Sequence, residues 1–332
     1  MVSIPNLTSV VKATRVIIDT DPGIDDAAAI FMALGSPEIQ VEALTTVFGN
    51  APVASSTRNA LRILEAARRT NIPVYEGVGK PYNGTVPMFA AHVHGSDGFG
   101  DEPWPLPTTI CRPRHAVIEL IERVLQSPGE ITLVTLGRLT NIALALRVEP
   151  RLAEALHAIV VMGGAVRVPG NATPVASANL WGDPEAADVV YRSGARIVQI
   201  GLDVCNQVEI SLEQQRRVWQ AQSSATRLLE TLTPCLKQSY NQRGLLRHPE
   251  GIRYNDVPAM AYVVDASLFT CRDVYIRIET QGQDTRGQTV ADVEQQSGER
   301  PNVTVAFDVD VPRLTELWVD RVKRLCPTSP EL

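Results

Sequence analysis

Short apolar runs alternate with longer segments of helical periodicity along most of the chain. The apolar runs are typical of buried strands and fall at residues 16–18, 41–47, 72–75, 131–135, 158–164 and 195–203, with strand-like runs at 273–280 and 302–308. The helical segments fall between and after them, at residues 27–34, 53–70, 114–126, 211–242, 259–264 and 312–325. This alternation predicts an α/β fold with a mostly parallel central sheet flanked by helices.

One segment, residues 77–113, breaks this alternation. It is rich in glycine, proline and aromatic residues, and it contains His92 and His94. A long irregular segment inside a compact domain is usually functional. Two histidines beside glycines do not identify a chemistry by themselves, so the segment predicts only a functional region.

The first apolar run ends in a dense group of carboxylates. Asp19, Asp21, Asp25 and Asp26 fall within eight residues, around a Pro-Gly turn that leads into a helix. In open α/β sheets the carboxyl ends of the strands are where ligands bind. Carboxylates this close together either face a cation or take up protons, and a hard cation such as Ca²⁺ accepts about 6–8 oxygen ligands. The alternative interpretation is a helix cap and a simple turn.

Length and composition favour one globular domain. The 332 residues suffice for one large α/β domain or two smaller ones, and no repeat, low-complexity segment or convincing linker divides them. With 44% hydrophobic and 20% charged residues, the chain can bury a sizeable core. We therefore expect a single domain over residues 15–326 and a loose N-terminal tail over residues 1–14.

Charge and cysteine content exclude several classes of protein. The net charge is −6 and no basic run appears, which argues against nucleic acid as the main partner. The five cysteines are irregularly spaced without a Cys-x-x-Cys pair, as in a reduced cytosolic protein. No signal peptide is recognisable, and no apolar run approaches the ~20 residues of a membrane span. These features predict a cytoplasmic protein without a membrane partner.

Residues 16–27 match without a gap the signature of a known family, an apolar strand followed by Asp-x-Asp-Pro-Gly-x-Asp-Asp-Ala. The chain resembles the nucleoside hydrolases, the inosine-uridine preferring nucleoside N-ribohydrolases. Further family-like motifs follow in order over residues 15–325: His-Gly-x-x-Gly at 94–98, Gly-x-Leu-Thr-Asn at 137–141, Met-Gly-Gly at 162–164, Asn-x-x-Pro at 171–174 and Asp-Pro-Glu-Ala-Ala at 183–187. The resemblance implies the nucleoside hydrolase fold and hydrolysis of the N-glycosidic bond of ribonucleosides to ribose and a free base.

The resemblance also implies a bound Ca²⁺, which would orient the ribose diol and a water molecule and acidify that water. Its ligands would be the carboxylates of Asp21, Asp26 and Asp256 and the backbone oxygen of Leu136. Asp21 would also act as the general base. Asp256 stands at the start of an apolar helix, where a simple N-cap is the alternative interpretation.

Other residues are assigned to ribose and base by the same resemblance. Asp25, assisted by Asn179, would hold the 2′-hydroxyl, and His94 would lie near the base. Tyr240 and Arg243 end a helical region on the base side, where we expect solvated helix-end residues. The substrate-binding candidates are Asn50, Met162, Asn171, Ser177, Asn179 and Asn255.

Two positions depart from the family pattern. Ser177 stands where the family has a glutamate near the 5′ end of the sugar, which predicts a roomier, less acidic corner that permits bulk at the 5′ position. Asn255 stands where many members have a histidine, and asparagine cannot shuttle a proton as histidine does. His94, or stacking of Phe99 or Trp104 on a purine, would then assist the leaving group. Purine nucleosides are therefore expected to be slightly favoured.

Two other functions remain open. A haloacid-dehalogenase-type phosphatase also has an apolar strand followed by Asp-x-Asp, but it usually has Thr or Val where Gly23 stands. A non-catalytic Ca²⁺- or ribose-binding protein on the same scaffold is the second alternative, because of the two departures. Relatives in the family are commonly dimers or tetramers, so the resemblance implies a homo-oligomer whose partner is a small-molecule nucleoside.

Overall fold

The computed structural model describes residues 13–325. Residues 1–12 of the predicted tail, together with Cys326, lie outside the described residues. The described strands are β1 (Thr14–Thr20), β2 (Ile39–Thr46), β3 (Val74–Glu76), β4 (Ile131–Thr135), β5 (Ala158–Met162), β6 (Ile197–Ile200), β7 (Phe269–Ile278), β8 (Thr289–Asp292) and β9 (Val303–Val309).

Helices occupy most of the chain between these strands. They are α1 (Ile24–Leu34), α2 (Val53–Ala66), α3 (Ala91–His94), α4 (Ala116–Gln126), α5 (Thr140–Val148), α6 (Leu152–Ala155), α7 (Ala178–Gly182), α8 (Pro184–Tyr191), α9 (Leu202–Cys205), α10 (Leu212–Trp219), α11 (Ser224–Gln242), α12 (Val257–Val264) and α13 (Val311–Lys323), with a short 3-10 helix at Ala266–Leu268. Within residues 13–325, none of them has both the length and the hydropathy needed to cross a bilayer.

The nine described strands form one sheet in the order β3-β2-β1-β4-β5-β6-β9-β7-β8. The strands from β3 to β9 in this order pair in parallel, whereas β7 pairs antiparallel with β9 and with β8. The predicted α/β fold with a mostly parallel central sheet is confirmed. Because the chain leaves β1 towards β2 on one side and resumes at β4 on the other, a crevice opens at the carboxyl ends of β1 and β4, where such sheets bind ligands.

Strand β1 lies at the centre of the sheet because its apolar residues are buried on both faces. Val16 and Ile18 belong to the core that contains α1, α12 and α13, and Ile17 belongs to the core that contains α4, α5 and α8. Successive strand residues point to opposite faces, so three consecutive apolar residues suit a strand covered on both sides. The buried strand gives the carboxylates at its end a rigid base.

Three of the differences between the structure and the sequence-based boundaries are the following. The helix predicted over residues 211–242 is two helices, because the Ser223 side chain caps the start of α11 and Gln222 before it has a φ of 52°. The strand predicted over residues 195–203 ends early, since Gly201 begins α9. The four-residue strand β8 is absent from the apolar pattern.

Candidate active site

A cavity of about 720 Å³ opens at the carboxyl ends of β1, β4 and β5, within the range of about 300–1,000 Å³ of small-molecule sites. Its walls come from residues 88–94, 169–181, 202–206 and 240–253. Asp21 and Asp26 adjoin its floor through hydrogen bonds to Asn50. The predicted site residues that line it are Asp25, Asn50, His94, Leu136, Met162, Asn171, Ser177, Asn179, Asn255 and Asp256. The fold thus gathers residues that are far apart in sequence.

The turn between β1 and α1 is held by the carboxylate of Asp26. This carboxylate accepts hydrogen bonds from Thr20 Oγ1 at 2.5 Å, from Gly23 N at 2.9 Å and from Asn50 Nδ2 at 3.1 Å. The bond from Gly23 N caps α1, as the alternative interpretation predicted. A Cβ atom on Gly23 would lie 2.7 Å from Asn50 Nδ2 and 2.8 Å from His94 Nδ1, so the turn needs glycine. Capping accounts for only one of the four carboxylates.

Asp21 is enclosed by backbone on two sides. Its Oδ2 accepts a hydrogen bond from Asn50 N at 2.7 Å, while its buried Oδ1 has no hydrogen-bond partner. A Cβ atom on Gly49 would lie 1.8 Å from Oδ2, and one on Gly137 would lie 2.6 Å from Oδ1. Burial, and then the charge of Asp26, raises the pKa of Asp21 well above its ordinary value. The free oxygen is therefore available to a ligand that the protein itself does not supply.

Three carboxylates converge at the floor of the cavity. Asp25, Asp26 and Asp256 each place one carboxylate oxygen within 4.8 Å of the others. Asp25 Oδ1 is buried without a hydrogen bond, and Asp256 begins α12 without capping it through its side chain. Burial raises the pKa of Asp25 to about 6, and burial together with the charge of Asp25 raises that of Asp256 well above its ordinary value. An all-oxygen set with unpartnered carboxylate oxygens fits a hard cation.

A backbone carbonyl completes the oxygen-rich floor. Leu136 N donates to Asp19 O at 2.8 Å, which places the end of β4 beside the end of β1. Asn179 Nδ2 donates to Leu136 O at 2.5 Å and to Met162 O at 3.1 Å, so one amide ties together β4 and β5. A carbonyl oxygen accepts two bonds. Leu136 O therefore keeps one acceptor position for a second partner.

Asn171 and Ser177 shape the opposite wall through bonds to the backbone. Asn171 Oδ1 accepts a hydrogen bond from Ala178 N at 2.8 Å. Ser177 is 2% exposed, and its Oγ accepts a hydrogen bond from Gly164 N at 2.7 Å. A hydroxyl that accepts one bond still has its own hydrogen to donate. Ser177 thus remains a potential donor at this wall.

His94 lies between α1 and the acidic floor. Its Nδ1 accepts a hydrogen bond from Ile24 N at 3.3 Å, and its Nε2 lies 3.7 Å from Asp25 Oδ1. Burial lowers the pKa of His94 to about 4, so the ring is neutral at pH 7. The neutral tautomer that accepts at Nδ1 carries its hydrogen on Nε2. This geometry favours orientation of Asp25 over proton donation to a leaving base.

Residues 16–316 match the family model described as inosine-uridine preferring nucleoside hydrolase. The chain belongs to this family. Because the match runs from β1 into α13, the phosphatase alternative is wrong, and the chain is a hydrolase of N-glycosyl bonds.

Named relatives of this nucleoside hydrolase differ in base preference. The probable uridine nucleosidase 2 of Arabidopsis thaliana is 40% identical over 316 residues, which are 93% of this chain and 97% of the relative. The pyrimidine-specific ribonucleoside hydrolase RihA of Escherichia coli is 36% identical, over 94% of this chain and 99% of the relative. The solved structure of a purine-preferring ribonucleoside hydrolase from Gardnerella vaginalis superposes with a TM-score of 0.89 at 31% identity, over 95% of this chain and 100% of the other. The expected nucleoside hydrolase fold is confirmed.

Tyr240 is a cavity residue that the sequence analysis placed in solvent. It is 6% exposed, and its hydroxyl oxygen accepts a hydrogen bond from Asn255 Nδ2 at 2.9 Å. Arg243 is exposed, as expected for a helix end, and also lines the cavity. Tyr240 continues the buried series Leu232 and Leu236 at four-residue spacing. That spacing was a signal that it faces inward.

Arg138 is a second cavity residue that the sequence analysis missed. Its guanidinium lies 4.6 Å from the centre of the Phe48 ring and donates through Nη2 to Met88 O. Its positive charge opposes the rise in the pKa of Asp21 that burial causes. The signal was a cationic residue one position after Gly137 in a turn that faces the carboxylates.

The aromatic residues expected to stack on a purine lie elsewhere. Phe99 is fully buried in the hydrophobic core, and Trp104 packs against that core, so neither lines the cavity. The expectation of stacking by these two residues is therefore wrong. Phe99 instead fills the core that also contains residues of α2 and α11, and Trp104 packs against the same core.

Proposed function

We propose that this chain hydrolyses the N-glycosidic bond of ribonucleosides with the help of Ca²⁺, releasing ribose and a free base. The observation that carries the proposal is the convergence of buried, partly unpartnered carboxylates on the floor of a nucleoside-sized cavity. A stable globular protein has no structural reason to keep such charges close together. A domain over residues 15–326, a cytoplasmic location and a homo-oligomer remain predictions.

The proposed ion would be held by oxygen atoms of the chain itself. Asp21, Asp26 and Asp256 and the Leu136 carbonyl would hold it, and Asp25 lies close enough to Asp26 and Asp256 to join them. When bound, Ca²⁺ supplies orientation of the ribose diol and acidification of a water molecule. Calcium is favoured over softer metals because only oxygen atoms converge there.

Asp21 is the proposed general base. Its Oδ1 has no hydrogen-bond donor among residues 13–325, so it can accept a proton from water. Asn50 holds the other oxygen of the same carboxylate at 2.7 Å, which fixes the direction of the free one. Asp25 and Asn179 are the proposed partners of the 2′-hydroxyl. Both line the cavity, and His94 Nε2 lies 3.7 Å from Asp25 Oδ1.

The departing base is the proposed partner of the Tyr240–Asn255 pair. Because the Tyr240 oxygen accepts from Asn255 Nδ2, its own O–H points elsewhere and can donate to the base. Burial raises the pKa of Tyr240 well above its ordinary value, so the hydroxyl keeps its proton at neutral pH. Asn255, which stands where many family members have histidine, would thus act through Tyr240.

Tyr240→Phe is expected to lower kcat on uridine or inosine by about 10²-fold, because the donor to the leaving base is lost. Cleavage of p-nitrophenyl riboside, whose leaving group needs no protonation, should fall far less. Tyr262→Phe makes the same change on α12 outside the cavity and serves as the control. Equal losses on both classes of substrate would show that Tyr240 only supports the pocket.

Two base classes are supported by different observations. Uridine is the substrate that we propose first, because relatives at 36–40% identity are named as uridine or pyrimidine nucleosidases. Purine nucleosides, which the sequence-based argument from Asn255 favoured slightly, are the second candidate. The structure from Gardnerella vaginalis is named as purine-preferring. Because Phe99 and Trp104 lie outside the cavity, stacking on these two residues no longer supports the purine candidate.

Ribose release from a panel of uridine, cytidine, inosine, guanosine and adenosine tests the proposal directly. We expect release from at least one of them, and its loss in Asp25→Ala. The ranking of uridine against inosine decides the base class. Tight Ca²⁺-dependent binding of a nucleoside without any turnover would instead identify a non-catalytic binding protein on the same scaffold and contradict the proposal.

A further inference from the structure

Three arginines, Arg243, Arg247 and Arg253, line the cavity, and we call them the arginine wall. A neutral nucleoside offers them no charged partner. Arg253 Nε lies 3.7 Å from Glu209 Oε2. The Glu209 carboxylate accepts from the backbone N–H groups of Arg247 at 2.8 Å and His248 at 3.0 Å. With three cations and one carboxylate, the wall presents net positive charge to the cavity.

Two of these cations converge on one residue. Arg247 Nη2 lies 3.4 Å from Asn206 O, and Arg253 Nη1 lies 3.5 Å from Asn206 Oδ1. Burial lowers the pKa of Arg253, and the charge of Arg247 lowers it further, while Glu209 opposes the shift. Like charges held together in this way are relieved by an anion, and guanidinium groups bind phosphate with matching geometry.

The arginine wall is connected to Ser177 along two routes. Arg243 Nη2 donates to Asn171 O at 3.1 Å, and the Asn171 side chain accepts from the residue after Ser177. On the other side, Leu202 N on α9 donates to Gly164 O at 2.8 Å, and Gly164 N donates to Ser177 Oγ. Helix α9 ends at its C-cap Asn206, the residue that Arg247 and Arg253 both approach. These bonds link the arginines and Ser177 within the lining of one cavity.

We propose that the arginine wall and Ser177 bind the 5′-phosphate of a phosphorylated ribonucleoside, so that nucleoside 5′-monophosphates are substrates of this enzyme. The inference rests on the proposed N-ribohydrolase function and concerns only its substrate class. Water breaks the C1′–N bond: its oxygen bonds to C1′, one proton ends on the base nitrogen, and the products are ribose 5-phosphate and the free base. No further reactant is required.

The position of Ser177 is the reason to place the substrate's phosphate at the 5′ end of the ribose. A glutamate at this position would repel a phosphate, whereas the serine has a hydroxyl hydrogen left to donate after its oxygen accepts from Gly164 N. The volume of about 720 Å³ lies in the upper part of the range for small-molecule sites, so a phosphate fits beside the ribose and base. The positive charge of the arginines, the hydroxyl of Ser177 and the volume of the cavity thus all favour a nucleoside 5′-monophosphate.

The test compares kcat/KM for uridine, uridine 5′-phosphate and orotidine, whose carboxylate lies on the base. We expect uridine 5′-phosphate to equal or exceed uridine. Arg247→Gln and Ser177→Glu should each lower the ratio of the uridine 5′-phosphate value to the uridine value by about tenfold or more, because a charge-assisted hydrogen bond is lost or a like charge is added. Arg227→Gln removes an exposed charge from α11 away from the cavity and should leave the ratio unchanged.

Each outcome separates this inference from the proposed function. Turnover of uridine without turnover of uridine 5′-phosphate overturns the inference and leaves the hydrolase intact. Turnover of no nucleoside or nucleotide overturns the proposed function itself. A preference for orotidine that Arg247→Gln removes would place the anion on the base and contradict the 5′ assignment. Arg247 is exposed, so its variant tests the wall even if Ser177→Glu does not fold.

Discussion

Asp21→Asn is expected to lower kcat on the best nucleoside by at least about 10³-fold, because a proposed general base and a proposed metal ligand are lost together. The substitution keeps the shape of the side chain. It also keeps the oxygen that accepts from Asn50 N, so the turn around Asn50 should survive. Single-turnover kinetics with saturating substrate would separate this loss from a loss of binding.

The stability of the same variant provides the internal check. Asp21 is buried beside Asp26, and its free oxygen has no partner, so loss of its charge removes repulsion from the metal-free protein. The thermal midpoint of Asp21→Asn in chelator should therefore be no lower than that of the wild type. Asp188→Asn, a change on the solvent side of α8, is the control for charge alone. Turnover within tenfold of wild type in a folded Asp21→Asn protein would remove Asp21 from its role as base.

The sheet was predictable because its signals are local. Three consecutive apolar residues before Asp19 are typical of a strand that is covered on both faces, and Gly23 marks the turn that follows. The break at Ser223 was harder to predict, since residues on both sides of it have helical spacing. There the deciding features were a cap and a residue with positive φ, and both depend on a backbone geometry that apolar spacing does not encode.

The site residues that could be predicted were those whose side-chain chemistry and position in a sequence motif pointed to the same role. Four carboxylates in eight residues predicted a cation or proton site without any knowledge of the fold. Tyr240 was misplaced because the burial of a helix end depends on what packs over it, here α3 from the distant loop of residues 77–113. Likewise, the resemblance to the family implied that Ser177 replaces a glutamate, but not that the serine hydroxyl oxygen accepts a hydrogen bond from the Met-Gly-Gly turn. Partners of this kind are set by tertiary contacts.

Removal of the metal is expected to abolish turnover and to lower the melting temperature. A ligand that binds only the folded state adds about 4 kcal/mol of stability at a concentration 1,000-fold above its Kd, which raises the melting temperature by several degrees for a chain of this size. Ca²⁺ added after chelation should restore both properties. Asp256→Asn should lose most of the Ca²⁺-dependent rise, because it removes one of the three converging carboxylates, whereas Asp188→Asn should keep it.

The Ca²⁺-dependent rise in melting temperature should also shrink from about pH 7.5 to about pH 5.5. Burial raises the pKa of Asp25 to about 6 and raises that of Asp26 in the metal-free protein. Because these folded-state pKa values exceed the unfolded ones, the metal-free protein takes up protons and gains stability as the pH falls through 6. Because Ca²⁺ binds the ionised carboxylates, the affinity of the protein for Ca²⁺ falls over the same pH interval. Both effects reduce the difference in melting temperature between the Ca²⁺-bound and the metal-free protein. A difference that stays constant or widens would contradict a cation site built from these residues.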